Sequence, residues 1–404
     1  MPASRRRRAH DRLAALPGVR PVRRPLTNEG GEFDLYYVRT GRKSRHPLVL
    51  IPGGPGMASI GHYQRLRRRA VAAGLDVIMI EHRGVGLSRR DDAGADLSPE
   101  ALTIEAVVDD VAAVLDDARV DSAVVYGTSY GSYLAAGVGA VHPGRVHAMI
   151  LDSPLLNHAD IEIVRRALRG LLWDGSDPLA AKVRALEAEA AMTPADAELA
   201  ATVYGLGGPS LLASHLDLLL DGRPLVWNAM RRVGRRMAQR IVPFHNEADL
   251  VGAIGFRELN FAGVPDGLPL DPALAMREHA CGDTPFECEP FDLVARMPEF
   301  TWPSVVISGD RDLTTPPAVA DRIAGLIPHS QLVRLPTAGH SVLDTREQAA
   351  LRIAEEVCAG RADTLAARGD ELDALPATPA VRLAGAALAA AARIEAVLPR
   401  RLTS

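Results

Sequence analysis

The residues most able to do chemistry are five in a row: Gly127, Thr128, Ser129, Tyr130 and Gly131. They follow the apolar run Ala123 to Tyr126 and precede the small-residue stretch Ser132 to Val141. A serine on a sharp strand-to-helix turn needs glycine on either side, because the tight backbone and the close approach of the next helix leave no room for side chains. The helix N-terminus also favours a developing negative charge. A serine hydroxyl is a poor nucleophile at neutral pH, so it needs a base and a carboxylate to orient that base.

Both occur later in the chain. Asp312 lies in Gly309-Asp310-Arg311-Asp312-Leu313-Thr314-Thr315-Pro316, after the apolar run Ser304 to Ile307. His340 lies in Gly339-His340-Ser341, after the run Gln331 to Leu335. Asp310 competes with Asp312; the deeper position of Asp312, ahead of the turn at Thr315 and Pro316, favours it. His62, His142, His147, His158, His215, His245, His279 and His329 read as structural or surface residues. A further glycine-rich turn, Pro52-Gly53-Gly54-Pro55-Gly56, follows the run Leu48 to Ile51. Backbone N–H groups of Gly54 and of Tyr130, the residue after the serine, could stabilise an oxyanion. The Lys-Ser/Thr ending of a phosphate loop is missing.

These loops need strands and helices to hold them. Phe33 to Val38, Leu48 to Ile51, Asp76 to Ile80, Ala123 to Tyr126 and Ala148 to Leu151 read as strands, and the last four are continuously apolar, as strands buried on both faces are. Helix-like segments alternate with them: Gly61 to Ala73, and Ser98 to Ala118, which opens with Ser98 as N-cap and Pro99 at the first helical position. The alternation predicts βαβ units and a mostly parallel sheet. After Pro154 the pattern gives way to long helix formers, such as Ile161 to Leu172 and Leu179 to Ala191, and strands return only at Ser304. The predicted organisation is a basic leader over 1–30, an α/β core over 31–154 and 301–360, a helical cap inserted over 155–300, and an Ala-rich helical extension over 361–404. An insertion there would sit over the carboxyl ends of the strands, where open α/β sheets bind ligands.

Composition sets outer limits. A chain of 404 residues that is 47% hydrophobic can bury a large core, and a net charge of −4 gives no field that would recruit nucleic acid or a membrane. The run Arg5 to Arg8 reads as a solvated leader; no apolar stretch follows it as in a secretory signal, and no run of apolar residues is long enough to span a bilayer, so a cytoplasmic location is expected. Cys281, Cys288 and Cys358 form no disulfide framework and, with His279, match no zinc spacing, so neither metal nor cofactor is expected.

Together with Glu81-His82-Arg83-Gly84-Val85-Gly86-Leu87-Ser88, these motifs resemble the prolyl aminopeptidases, or proline iminopeptidases, and the related tripeptidyl aminopeptidases. The resemblance implies an α/β-hydrolase fold, helices on both faces of the sheet, a helical cap, and metal-free release of N-terminal residues from peptides by Ser129, Asp312 and His340. Pro52 stands where that family usually has histidine, and Glu81-His82 where it has Asp-Gln. Family members hold the substrate ammonium with cap carboxylates, for which Glu247 and Glu258 are the candidates here. The expected partner is a short peptide or small molecule. An esterase, lactonase or amidase on the same triad, acyl transfer to an acceptor other than water, and a non-catalytic binding protein are the alternatives.

Overall fold

The computed structural model describes residues 3–27, 30–189, 192–238, 240–279 and 284–399. Cys281 lies outside the described residues.

Eight strands form one sheet in the order β1-β2-β4-β3-β5-β6-β7-β8: β1 Val19–Thr27, β2 Gly30–Thr40, β3 Leu48–Ile51, β4 Val77–Ile80, β5 Ala123–Thr128, β6 Val146–Asp152, β7 Ser304–Gly309 and β8 Ser330–Leu335. β2 runs antiparallel to β1 and β4, and all pairings from β4 to β8 are parallel. The continuously apolar strands feed two cores, because successive side chains point to opposite faces. Val49, Ile78 and Val125 enter one core with Val108, Leu134 and Ile323; Leu48, Met79 and Val124 enter the other with Leu66, Ile353 and Leu13.

The helices supplying those partners cover both faces. α1 Ala3–Ala14 and α2 Gln64–Ala72 precede α3 Ile104–Asp117 and α4 Tyr130–Val141. Helix α3 starts later than the sequence suggests. Ser98 and Pro99 lead only into a short 3₁₀ turn, Pro99–Ala101, and the cap of α3 is Thr103, whose hydroxyl accepts the Ala106 N–H at 3.2 Å.

Between β6 and β7 lie α5 Asp160–Leu172, α6 Pro178–Ala188, α7 Pro194–Leu220, α8 Leu225–Ala238, α9 Ala248–Leu259, α10 Pro272–His279 and α11 Leu293–Arg296. Leu172, Val183, Val203, Leu212, Leu216 and Trp227 give these helices a core of their own. Helix α7 is kinked at Gly208, where φ is +73° and Pro209 follows. The chain then returns through α12 Pro317–Leu326, α13 Val342–Thr345, α14 Glu347–Cys358, α15 Gly369–Asp373 and α16 Pro379–Val397. The C-terminal helix docks on the inserted ones: buried Glu395 accepts the Leu225 and Val226 N–H groups at the start of α8, at 2.7 and 2.9 Å.

The expectation of a solvated basic leader is corrected in part: Arg5, Arg7 and Arg8 are exposed, but the segment forms a helix and an edge strand in which other arginines find acidic partners, Arg24 donating to Asp110 at 2.7 Å, Arg23 meeting Glu32, Asp34 and Asp92, and Arg6 pairing with buried Glu247. Among the described residues, no helix is long and apolar enough to cross a membrane.

Candidate active site

Four loops at the carboxyl ends of β3, β5, β7 and β8 converge on one point. Ser129 directly follows β5 with φ +53° and ψ −125°, a strained conformation that turns the strand into α4. The glycines around it are forced by space. A Cβ on Gly127 would lie 2.0 Å from the Gly131 carbonyl oxygen, and one on Gly131 would lie 2.3 Å from that of Ile51.

His340 bridges the other two loops. Its Nε2 lies 3.0 Å from Ser129 Oγ and its Nδ1 lies 2.9 Å from Asp312 Oδ2. Asp312 can only accept, so Nδ1 carries a proton and Nε2 is free to accept the serine proton. Asp312 is itself held from behind: Oδ1 accepts the Thr314 and Thr315 N–H groups, both at 2.9 Å, and Oδ2 accepts the Thr315 hydroxyl at 2.9 Å. Asp310 instead meets Arg334 near the surface. Burial works against charge on both partners, yet their mutual attraction prevails: His340 is held above its ordinary value of 6.5, and Asp312 below its ordinary 3.8.

The Gly53-Gly54 turn after β3 lies against the serine, so that a Cβ on Gly53 would come 3.2 Å from Ser129 Cβ. Tyr130 opens α4, where its N–H has no intrahelical acceptor. Its ring is buried, and its hydroxyl lies 3.2 Å from His82 Nε2.

A cavity of about 440 Å³ opens above Ser129 and His340. Its walls are mostly apolar, with Leu155, Ile161, Val164, Leu168, Leu259, Phe261 and Met276 from the inserted segment and Leu313 and Val319 from the core. Helix α7 contacts the histidine loop so closely that a Cβ on Gly339 would lie 2.9 Å from Gly205 Cα.

Neither Glu247 nor Glu258 lines this cavity, which corrects the expectation that they face the substrate. Glu247 is fully buried, accepts the Gly86 N–H at 2.6 Å and pairs with Arg6. Glu258 accepts the Ile104 N–H at 2.8 Å and pairs with Arg257. Among the carboxylates that do line it, with Glu198 and Asp344, is Asp160, missed in the sequence because an acidic residue in a first helical turn is commonplace. Its Oδ2 accepts the Leu156 and Asn157 N–H groups at 2.6 and 3.2 Å, while Oδ1 is buried with no hydrogen-bond partner among the described residues. Burial pushes Asp160 up to about 6.

Comparison with known proteins agrees with this architecture. The chain belongs to the alpha/beta hydrolase fold family, which matches residues 46–188 and 281–347. It is 21% identical over 350 residues to a probable proline iminopeptidase of Leptolyngbya boryana, covering 81% of this chain and 91% of that protein. A probable proline iminopeptidase of Streptomyces coelicolor is 23% identical over 173 residues, 42% of this chain; there the match spans only about half of the relative, 52% of its length. The crystal structure of proline iminopeptidase from Mycobacterium smegmatis superposes with a TM-score of 0.55 at 16% identity, covering 85% of this chain and 99% of that one.

Proposed function

We propose that the protein is a serine hydrolase that works through an acyl-enzyme and releases N-terminal residues from short peptides. The observation that carries the reading is the unbroken line Ser129–His340–Asp312 at the floor of a mostly apolar cavity. His340 takes the serine proton as Ser129 Oγ attacks the carbonyl; the Gly54 and Tyr130 N–H groups hold the oxyanion; the leaving amine takes the proton from His340, and water then repeats the sequence on the ester.

Asp160 supports a peptide over a simple ester. Asp160 lines the cavity, and its buried Oδ1, which has no hydrogen-bond partner among the described residues, is best satisfied by a cation; the free amine of a peptide's first residue would be one. The apolar walls then suit that residue's side chain. Those same walls favour, as second reading, an esterase or amidase for a small apolar acyl group.

The two separate in one experiment: hydrolysis of aminoacyl arylamides, their N-acetylated counterparts and short aryl esters by the same preparation. An aminopeptidase cleaves the free-amine arylamides and loses the blocked ones. Equal turnover of free and blocked substrates would overturn the peptidase reading and leave the hydrolase.

A further inference from the structure

The proton transfer proposed above requires Ser129 and His340 to keep their separation, although they stand on loops from different strands. The Thr128 and Ser341 hydroxyls meet across the two loops at 3.1 Å, and one residue of a third strand holds both loops. Asp152, the last residue of β6, is fully buried. Its backbone carbonyl accepts the Ser129 N–H at 2.9 Å. Its carboxylate reaches the other loop: Oδ1 accepts the Val342 N–H at 3.0 Å and Oδ2 the Leu343 N–H at 2.8 Å. Tyr126, three residues upstream of Ser129 on β5, adds its hydroxyl to Oδ2 at 3.0 Å. The neighbouring residue extends the grip, since the Ser153 hydroxyl accepts the Ser341 N–H at 2.9 Å. Three consecutive N–H groups directly after the histidine are thus held by the end of one strand, which also holds the serine.

We propose that Asp152 is a positioning residue for acyl transfer: it clamps the histidine loop to the serine turn, and its carboxylate adds negative charge beneath the His340 imidazolium. The proposal rests on the acyl-enzyme reading. The charges of three carboxylates act on His340: Asp312 from the loop after β7, Asp152 from β6, and Asp344 from α13, which in turn binds the Tyr63 hydroxyl at 2.7 Å and the Ser341 hydroxyl. Asp312 holds the ring directly. Asp152 acts through the backbone on which the ring stands, and no other described side chain accepts from both Val342 and Leu343.

The test compares wild type with Asp152→Asn and Ser153→Ala, reading the rate of labelling by a fluorophosphonate, kcat and KM on one cleavable ester or arylamide, the pH dependence of kcat/KM, and the melting temperature. Asparagine keeps the shape but sets an NH₂ group against one of the two N–H donors and removes the charge. Its labelling rate and kcat should fall about 10²-fold, the cost of a misplaced reacting group, with KM little changed. The acid limb of its pH profile should move to lower pH, a shift that a purely structural role would not produce. Ser153→Ala loses one bond of the clamp and keeps the charge; it should slow labelling with the acid limb unmoved, and it carries the test if Asp152→Asn does not fold. Folded Asp152→Asn with wild-type labelling and an unmoved limb, or Ser153→Ala with wild-type labelling, would overturn the proposal. A wild type that never labels would instead overturn the acyl-enzyme reading on which it stands.

Discussion

His340 Nε2 stands 3.0 Å from Ser129 Oγ across 211 residues of chain, a contact made by two loops that follow different strands of one sheet. The contact is anchored at each end by backbone: Ser129 by the turn into α4, and His340 by Asp312, itself fixed by Thr314 and Thr315.

The pH dependence has two opposed parts. A neutral His340 is required to accept the serine proton, and its folded value lies above 6.5, so kcat/KM should rise through an acid limb centred above that pH. Stability moves the other way. A histidine raised in the folded state contributes stability that is full below its unfolded value and is lost as pH rises through its folded value. Asp312, lowered below 3.8, contributes stability present above that pH and lost as pH falls through its folded value. A melting-temperature series against pH, set beside the rate profile, checks both signs.

Asp312→Asn should leave the fold nearly intact and lower kcat about 10³ to 10⁴-fold, because asparagine no longer selects the tautomer with Nδ1 protonated. The acid limb should also drop, since the charge that raised His340 is gone. Steady-state kinetics with circular dichroism of the variant reads both.

Asp160→Asn should trade activity for stability. Holding this carboxylate charged at neutral pH, with its folded value at about 6 against an ordinary 3.8, costs roughly 2–3 kcal/mol. Asparagine can keep both backbone bonds through its one carbonyl oxygen and turn its NH₂ to the cavity. The melting temperature should rise by a few degrees. KM for free-amine substrates should increase at least tenfold, the loss expected of a charge-assisted hydrogen bond worth about 1.5–3 kcal/mol, while N-blocked substrates or esters should be little affected.

Gly131→Ala should be destabilised by about 3 kcal/mol or more and inactive, because its Cβ would press on the carbonyl oxygens of Ile51 and Pro52 at 2.3 and 2.4 Å. Arg6→Ala should cost a comparable amount, about 3 kcal/mol, by leaving fully buried Glu247 without its cation. Chemical denaturation of each variant measures these losses, and the Arg6 variant should retain its KM.

How far the sequence could be read follows from where the information sits. The parallel strands were legible because Leu48–Ile51 and Ala123–Tyr126 must be apolar at every position when both faces are buried. The five-residue turn around Ser129 was legible because the close approach of Ile51, Pro52 and Gly131 excludes side chains. The order of the leader was not legible because the partners of Arg23, Arg24 and Arg6, which are Asp92, Asp110 and Glu247, are supplied by distant segments. Glu247 and Glu258 were misassigned for the same reason: a glutamate held by a backbone N–H 161 or 154 residues away looks in sequence like any other. Asp152 and Asp160 gave no signal at all, since an aspartate ending a strand or opening a helix is ordinary until its neighbours are known.

The central claim is that Ser129 is acylated. Mass spectrometry of the protein after brief reaction with a fluorophosphonate, followed by peptide mapping, tests it most directly. The account predicts one adduct, on Ser129, whose formation is abolished in Ser129→Ala and slowed by orders of magnitude in His340→Ala. An active protein that takes no adduct, or a Ser129→Ala variant that still turns over the same substrate at the wild-type rate, would contradict it.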